Sequence, residues 1–170
     1  LYGKTLGIIG YGRVGRILSK YSHSFGAKNI HYDLVKSNSK YSTYSTLNNL
    51  LRKSDIVSIN ANLDIENKYY FNKDFFMKMK KNAILINTSR GEIINEKHLI
   101  EALEKNIISK AALDVLCYES KNYNLTLKKF QKLINSNKLI VTPHISGTTI
   151  ESLTKTSDFI MHKISDYLIK

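Results

Sequence analysis

Disulfides, proline-rich linkers and membrane spans are all missing from this chain of 170 residues. Cys117 is the only cysteine, so no internal bridge can form, and a free thiol suits a reducing compartment. Pro143 is the only proline. No apolar run approaches ~18 residues, the length a membrane-spanning helix needs. The start shows no charged-then-apolar leader with a small-residue cleavage site, and a cytoplasmic setting is therefore expected. Acidic residues are also few: 14 against 26 Lys and Arg, a net charge of +12. The basic residues do not form one stripe. They fall mainly into short groups, Lys78, Lys80 and Lys81, then Lys128, Lys129 and Lys132, and elsewhere are scattered along the chain. That distribution reads as a solvated lysine-rich surface, so neither a nucleic acid nor a membrane is expected as a partner.

With 42% apolar and 24% charged residues the composition is that of a globular protein, which excludes disorder, collagen and coiled coil. The length is one domain's worth, roughly 100–200 residues, and enough to bury about 70% of the unfolded surface.

Short apolar runs alternate with helical spacings. Strands are expected at Thr5–Ile9, Asn29–Tyr32, Asp55–Ile59, Ala83–Asn87, Ala111–Val115 and Leu139–Thr142, where Pro143 stops the last. Helices are expected at 14–25, closed by Gly26, and at 47–53, 71–79, 96–105 and 148–169. In the first of these, Val14, Ile17, Leu18, Tyr21 and Phe25 recur at helical spacing. Asn95 is placed to cap the helix that starts at Glu96. The stretch Leu116–Leu127 has weak periodicity and reads as a long loop. Strands separated by helices imply βαβ units and a parallel sheet with right-handed crossovers.

Gly10-Tyr11-Gly12-Arg13-Val14-Gly15 matches G-x-G-x-x-G between a strand and a helix. Gly10 permits a tight turn, Gly12 leaves room for a pyrophosphate, and Gly15 lets the helix lie close to the strand. The amides of Arg13 and Val14 would then face the phosphates at the positive end of the helix dipole. Asp33 follows at the end of the second strand, 18 residues after Gly15. A carboxylate there accepts hydrogen bonds from the ribose hydroxyls and repels a 2′-phosphate, which favours NAD over NADP. The fold class is therefore α/β: a Rossmann-type doubly wound parallel sheet with helices on both faces.

Other polar residues gather where strands end: Thr88, Ser89, Arg90 and Gly91 after one, Asp114 in the next, Glu119 five residues on, and His144 after the last. An arginine can hold a substrate carboxylate through two parallel hydrogen bonds. A histidine moves protons near neutral pH, and a neighbouring carboxylate orients it. Beside a nicotinamide, such a trio suits oxidation of a 2-hydroxy acid. Metal-ligand spacing is absent. His23, His31, His98, His162 and Cys117 read as structural.

Five ordered blocks carry a resemblance: Gly3 to Gly15, Asp55 to Ser58, Ile86 to Gly91, Ala112 to Val115, and Thr142 to Ile145. The chain resembles, over essentially its whole length, the NAD-binding domain of the D-isomer-specific 2-hydroxyacid dehydrogenases, D-3-phosphoglycerate dehydrogenase among them. The resemblance implies Arg90, Glu119 and His144 as the catalytic trio: carboxylate binder, supporting acid and general acid/base. It implies Asp114 at the nicotinamide carboxamide, and Thr88, Ser89, His144, Ser146 and Gly147 as further cofactor positions. It implies a small 2-hydroxy or 2-oxo acid substrate and a homodimer. Residues 1–147 would be the cofactor domain, and 148–170 the start of a return to a substrate domain that lies outside this chain. The family also includes NADH-sensing corepressors, so a sensor without catalysis is the alternative. Three departures stand out: Asn60-Ala61-Asn62 where the family has His-x-Pro, Ser120 where it has proline, and Ser146-Gly147 where it has a glycine pair.

Overall fold

The computed structural model describes residues 1–168, without the side chains of residues 120–122, 125 and 126. Seven strands form one sheet: β1 Thr5–Ile9, β2 Lys28–Tyr32, β3 Thr43–Tyr44, β4 Ile56–Ile59, β5 Ile84–Asn87, β6 Lys110–Leu113 and β7 Leu139–Val141. Their order is β3-β2-β1-β4-β5-β6-β7, and every pairing is parallel. The chain runs outward one way from β1, then returns past it to β4. The strand order reverses between β1 and β4, and at such a switch point an open sheet leaves a crevice beyond its carboxyl ends. The expected doubly wound sheet is thus present, with one strand more than the sequence indicated. β3 is only two residues long, too short for a periodicity to register.

Among the described residues seven α-helices connect and flank the strands: α1 Arg13–Ser24, α2 Leu47–Lys53, α3 Lys73–Lys78, α4 Glu96–Glu104, α5 Glu119–Lys128, α6 Gln131–Asn135 and α7 Ile150–Leu168. Thr46, Asn72 and Asn95 cap α2, α3 and α4 through side-chain oxygens, each satisfying a free amide of the first turn. The main core lies on the face covered by α2, α3, α4 and α6, where Leu50, Phe76, Leu99, Leu103, Phe130 and Leu133 pack on Val57, Leu85 and Leu113. A smaller cluster of Leu6, Ile8 and Tyr11, with Leu18 and Ile56, lies under α1 on the opposite face. Beyond β4 that second face is thinly covered: Ile86 is half-buried and Ile140 is 66% exposed.

The buried residues of α1 are Gly15, Ser19 and Ser22, with Leu18 partly buried beside them, whereas Val14, Ile17, Tyr21 and Phe25 are exposed. Small residues let the helix axis approach β1 and β2 closely, so the large apolar residues turn outward. A Cβ on Gly15 would lie 2.4 Å from the Gly10 carbonyl oxygen, which shows how tight that approach is. The stretch 116–127 is no long loop: α5 occupies it from Glu119 onward. Its apolar residues are too sparse for a helical stripe to show in sequence. The last helix begins at Ile150 and is described to Leu168; Ile169, its expected end, lies outside the described residues. No residue of α7 is buried. Among the described residues no helix is long and apolar enough to cross a membrane.

Candidate functional site

The glycine turn leaves β1 at Gly10, whose N–H donates to the Tyr32 carbonyl at the end of β2 (3.0 Å). Gly10 has φ +87°, and a Cβ there would sit 2.5 Å from the Ala61 amide nitrogen, so no other residue fits without displacing backbone. Gly12 differs: a Cβ would meet nothing within 4 Å. The space over Gly12 is therefore open rather than filled by protein, as the close approach of a pyrophosphate requires. Gly12 is also the N-cap of α1, with no side-chain cap and no acidic residue in the first turn. The first-turn amides of α1 consequently point at that open space with a positive dipole end behind them. These features fit a dinucleotide.

Asp33 stands where expected, just after β2. One oxygen accepts the Tyr11 N–H at 2.6 Å, fixing the acid against the glycine turn, and the other lies 3.4 Å from the Val35 N–H. Behind the turn is a polar core that the sequence did not announce. Tyr11, 2% exposed, stacks on His31 with ring centroids 3.7 Å apart, and its hydroxyl pairs with Ser19 and Ser39 at 2.7 Å each. Burial lowers the His31 pKa, which favours the neutral ring whose nitrogens meet Ser42 and the Ser37 carbonyl. Alternating polar and apolar residues in β2 were the available signal.

At the end of β5, Asn87 is fully buried and shapes the next turn. Its Oδ1 accepts the Ser89 N–H and its Nδ2 donates to the Arg90 carbonyl, both at 3.0 Å. Ser89 donates its hydroxyl to the Ala61 carbonyl, closing the turn onto the segment after β4. Thr88 and Arg90 are exposed, and one Arg90 N–H donates to the Ser89 carbonyl at 2.7 Å. Gly91 is enforced by contact: a Cβ there would lie 2.2 Å from the Leu116 carbonyl carbon. That close approach locks the Arg90 turn to the segment leading into Glu119.

Asp114 follows β6 and is 4% exposed. Its Oδ1 accepts the Thr142 hydroxyl and the Ile145 N–H (3.1 Å), and its Oδ2 accepts the Ser146 N–H (3.0 Å). Burial alone would raise its pKa. The hydrogen bonds from Thr142, Ser146 and Ile145 outweigh burial and bring it down to about 2. Asp114 thus holds the turn that carries His144. The His144 N–H donates to the Asp114 and Thr142 carbonyls (2.9 and 3.0 Å), and its φ is +54°. A left-handed backbone at a residue other than glycine costs about 1–3 kcal/mol and persists where the surroundings impose it.

The His144 Nδ1 is bonded to Glu119 Oε1, and Glu119 Oε2 accepts the Leu116 N–H at 2.8 Å. Glu119 thus joins His144 across 25 residues, from the first turn of α5 rather than from a loop. A carboxylate only accepts, so Nδ1 carries the proton and Nε2 is the nitrogen left for chemistry. Sequence reasoning overlooked Glu96, which is buried at the start of α4, accepts the Cys117 N–H at 2.8 Å and pairs with Lys129. Cys117 is buried, and burial together with the Glu96 charge pushes its thiol up to about 12. Ser146 and Gly147 are exposed beside His144, and a Cβ on Gly147 would meet nothing within 4 Å. Among the described residues no group of three or more His, Cys, Asp and Glu is placed to hold a metal ion.

Residues 1–146 match the family model described as D-isomer specific 2-hydroxyacid dehydrogenase, NAD binding domain. The chain is 33% identical over 171 residues to a hydroxypyruvate reductase of Blautia hydrogenotrophica, covering 99% of this chain and 51% of that protein. It is 37% identical over 163 residues to a glyoxylate reductase of Thermofilum pendens, covering 93% and 46%. The solved structure of D-lactate dehydrogenase with NAD+ from Lactobacillus jensenii superposes with a TM-score of 0.85 at 35% identity, covering 90% of this chain and 49% of that one. The chain spans about half the length of the relatives it matches.

Proposed function

The chain belongs to the D-isomer specific 2-hydroxyacid dehydrogenase family, as its NAD-binding domain, and on that premise we propose that it supplies the cofactor half of an NAD-dependent dehydrogenase of small D-2-hydroxy acids. The observation that carries the reading is the His144–Glu119 pair, held at the carboxyl end of the same sheet as the open glycine cradle.

The pyrophosphate would lie over Gly12 against the amides of Arg13 and Val14, with the adenosine ribose on Asp33. Thr88, Ser89, Ser146 and Gly147 line the other end, at the carboxyl ends of β5 and β7. The bound nicotinamide supplies or accepts the hydride. Arg90 holds the substrate carboxylate by paired hydrogen bonds and so sets which carbon faces the ring. His144 Nε2 takes the hydroxyl proton in oxidation and returns it to the carbonyl oxygen in reduction. Glu119 keeps that ring in one tautomer and orientation. Asp114 contributes by building the His144 turn, with both carboxylate oxygens accepting bonds from that segment.

Residues 1–147 are proposed as the cofactor domain, and 148–170 as the lead into a substrate domain. The length of the relatives and the unburied α7 support that division. The exposed stripe of Val14, Ile17, Tyr21 and Phe25 on α1 supports pairing of two copies, and a free buried thiol is in keeping with the cytoplasm.

The test is reduction of a panel of small 2-oxo acids with NADH by the natural polypeptide, alongside Arg90→Ala, His144→Ala and Glu119→Gln. Losses in kcat/KM of about 10²–10⁴-fold are expected for His144→Ala. Unchanged turnover in all three variants contradicts the assignment.

A further inference from the structure

We propose that Tyr69 is a positioning residue for the acid–base pair: its phenol latches Tyr118, and the Tyr118 backbone in turn fixes Glu119 against His144. The two hydroxyls meet at 2.7 Å, between residues 49 apart in sequence. Tyr69 lies in the segment between β4 and α3, and its N–H donates to the Glu92 carbonyl at 2.7 Å, in the short turn after Arg90. One residue therefore ties the Arg90 turn to the segment that carries Glu119.

The backbone gives this contact its importance. Tyr69 and Tyr118 have φ +55° and +59°, and His144, which the pair ultimately serves, has +54°. Among the described residues the other left-handed ones that are not glycine are Asn106 and Asn137, a type that tolerates the conformation. Tyrosine does not, so each such residue stays only where its neighbours hold it there. Tyr118 is the N-cap of α5 and makes no side-chain cap to that helix. Its left-handed turn is what brings Glu119 back, so that Oε2 reaches the Leu116 N–H while Oε1 reaches His144. On the near side the segment is pinned by Glu96 at the Cys117 N–H. The phenol pair pins it on the far side. Loss of the phenol contact removes one tie on the left-handed Tyr118 turn, and Glu119 is then held less firmly at Nδ1. The Tyr118 hydroxyl also raises the Tyr69 pKa above the ordinary phenol value.

The consequence for catalysis rests on the reading of His144 and Glu119 given above; the latch itself is tested without turnover. In the 170-residue chain with ¹⁵N-labelled histidine, the His144 Nδ1–H proton is observed by NMR and its exchange with water is measured. The wild type should show a slowly exchanging signal. Tyr69→Phe and Tyr118→Phe should each speed exchange about tenfold, and the double variant should be no worse than either. Tyr69→Gly removes the phenol but suits a positive φ, and should behave like Tyr69→Phe. Core amide protection reports that the fold is retained. A missing Nδ1–H signal in the wild type, an unchanged rate in the Phe variants, or a normal rate in Tyr69→Gly alone each overturns the latch. If the signal responds as expected while His144→Ala still reduces 2-oxo acids normally, the latch stands and the dehydrogenase reading falls.

Discussion

Asp114 accepts the N–H of Ser146 at 3.0 Å, 32 residues further along, and so closes the turn on which His144 is mounted. Its carboxylate serves the protein's own backbone on both oxygens. The family resemblance placed this residue at the nicotinamide. The structure shows what it does for the protein alone, which is to hold the left-handed backbone turn that carries His144.

That relationship has a pH signature. The Asp114 pKa of about 2 lies below that of the same group in an unfolded chain, about 3.9. Its stabilising contribution, about 2 kcal/mol, is full above about pH 4 and disappears as the pH falls toward 2. Asp114→Asn should therefore lower the urea midpoint most at neutral pH, and the gap to wild type should narrow through the acid range. A gap of constant size would show that the charge is not what holds the turn.

Two glycines of one motif should fail differently. Gly12→Ala places its Cβ in open space, so the melting temperature should stay put while NADH binding weakens at least about tenfold. Gly15→Ala places its Cβ 2.4 Å from a backbone oxygen and should destabilise by about 1–3 kcal/mol. Thermal melts and NADH titrations of both variants separate the two effects. The reverse pattern would mean that the cradle is not where the glycines place it.

Cys117 gives a simple chemical check. With its thiol at about 12 and its side chain buried, it should resist iodoacetamide at about pH 8 in the native chain and react quickly in denaturant. Rapid native labelling would show that the segment before Glu119 opens readily.

Much of this was legible beforehand because some residues are irreplaceable where they stand. Gly10 and Gly15 have backbone atoms where a Cβ would go, so their spacing is a direct trace of geometry. Arg90 and His144 stand just beyond the carboxyl ends of β5 and β7, where strand endings mark them in sequence, whereas Glu119 stands in the first turn of α5 rather than in a loop. What could not be read depended on contacts between distant segments. The buried face of α1 consists of glycine and serines, and a count of large apolar residues selects the wrong side of such a helix. α5 has little apolar periodicity, and Tyr123 and Leu127 are what it packs against the main core. Tyr69 and Tyr118 carry no local signal at all, since neither a left-handed tyrosine nor a contact across 49 residues leaves a pattern in sequence.

The most direct test of the account is a fluorescence titration of the 170-residue chain with NADH and, in parallel, NADPH. The open space over Gly12 and the carboxylate of Asp33 predict saturable NADH binding, with NADPH at least about tenfold weaker because its 2′-phosphate meets that carboxylate. A folded chain that binds neither nucleotide, or both alike, would contradict it.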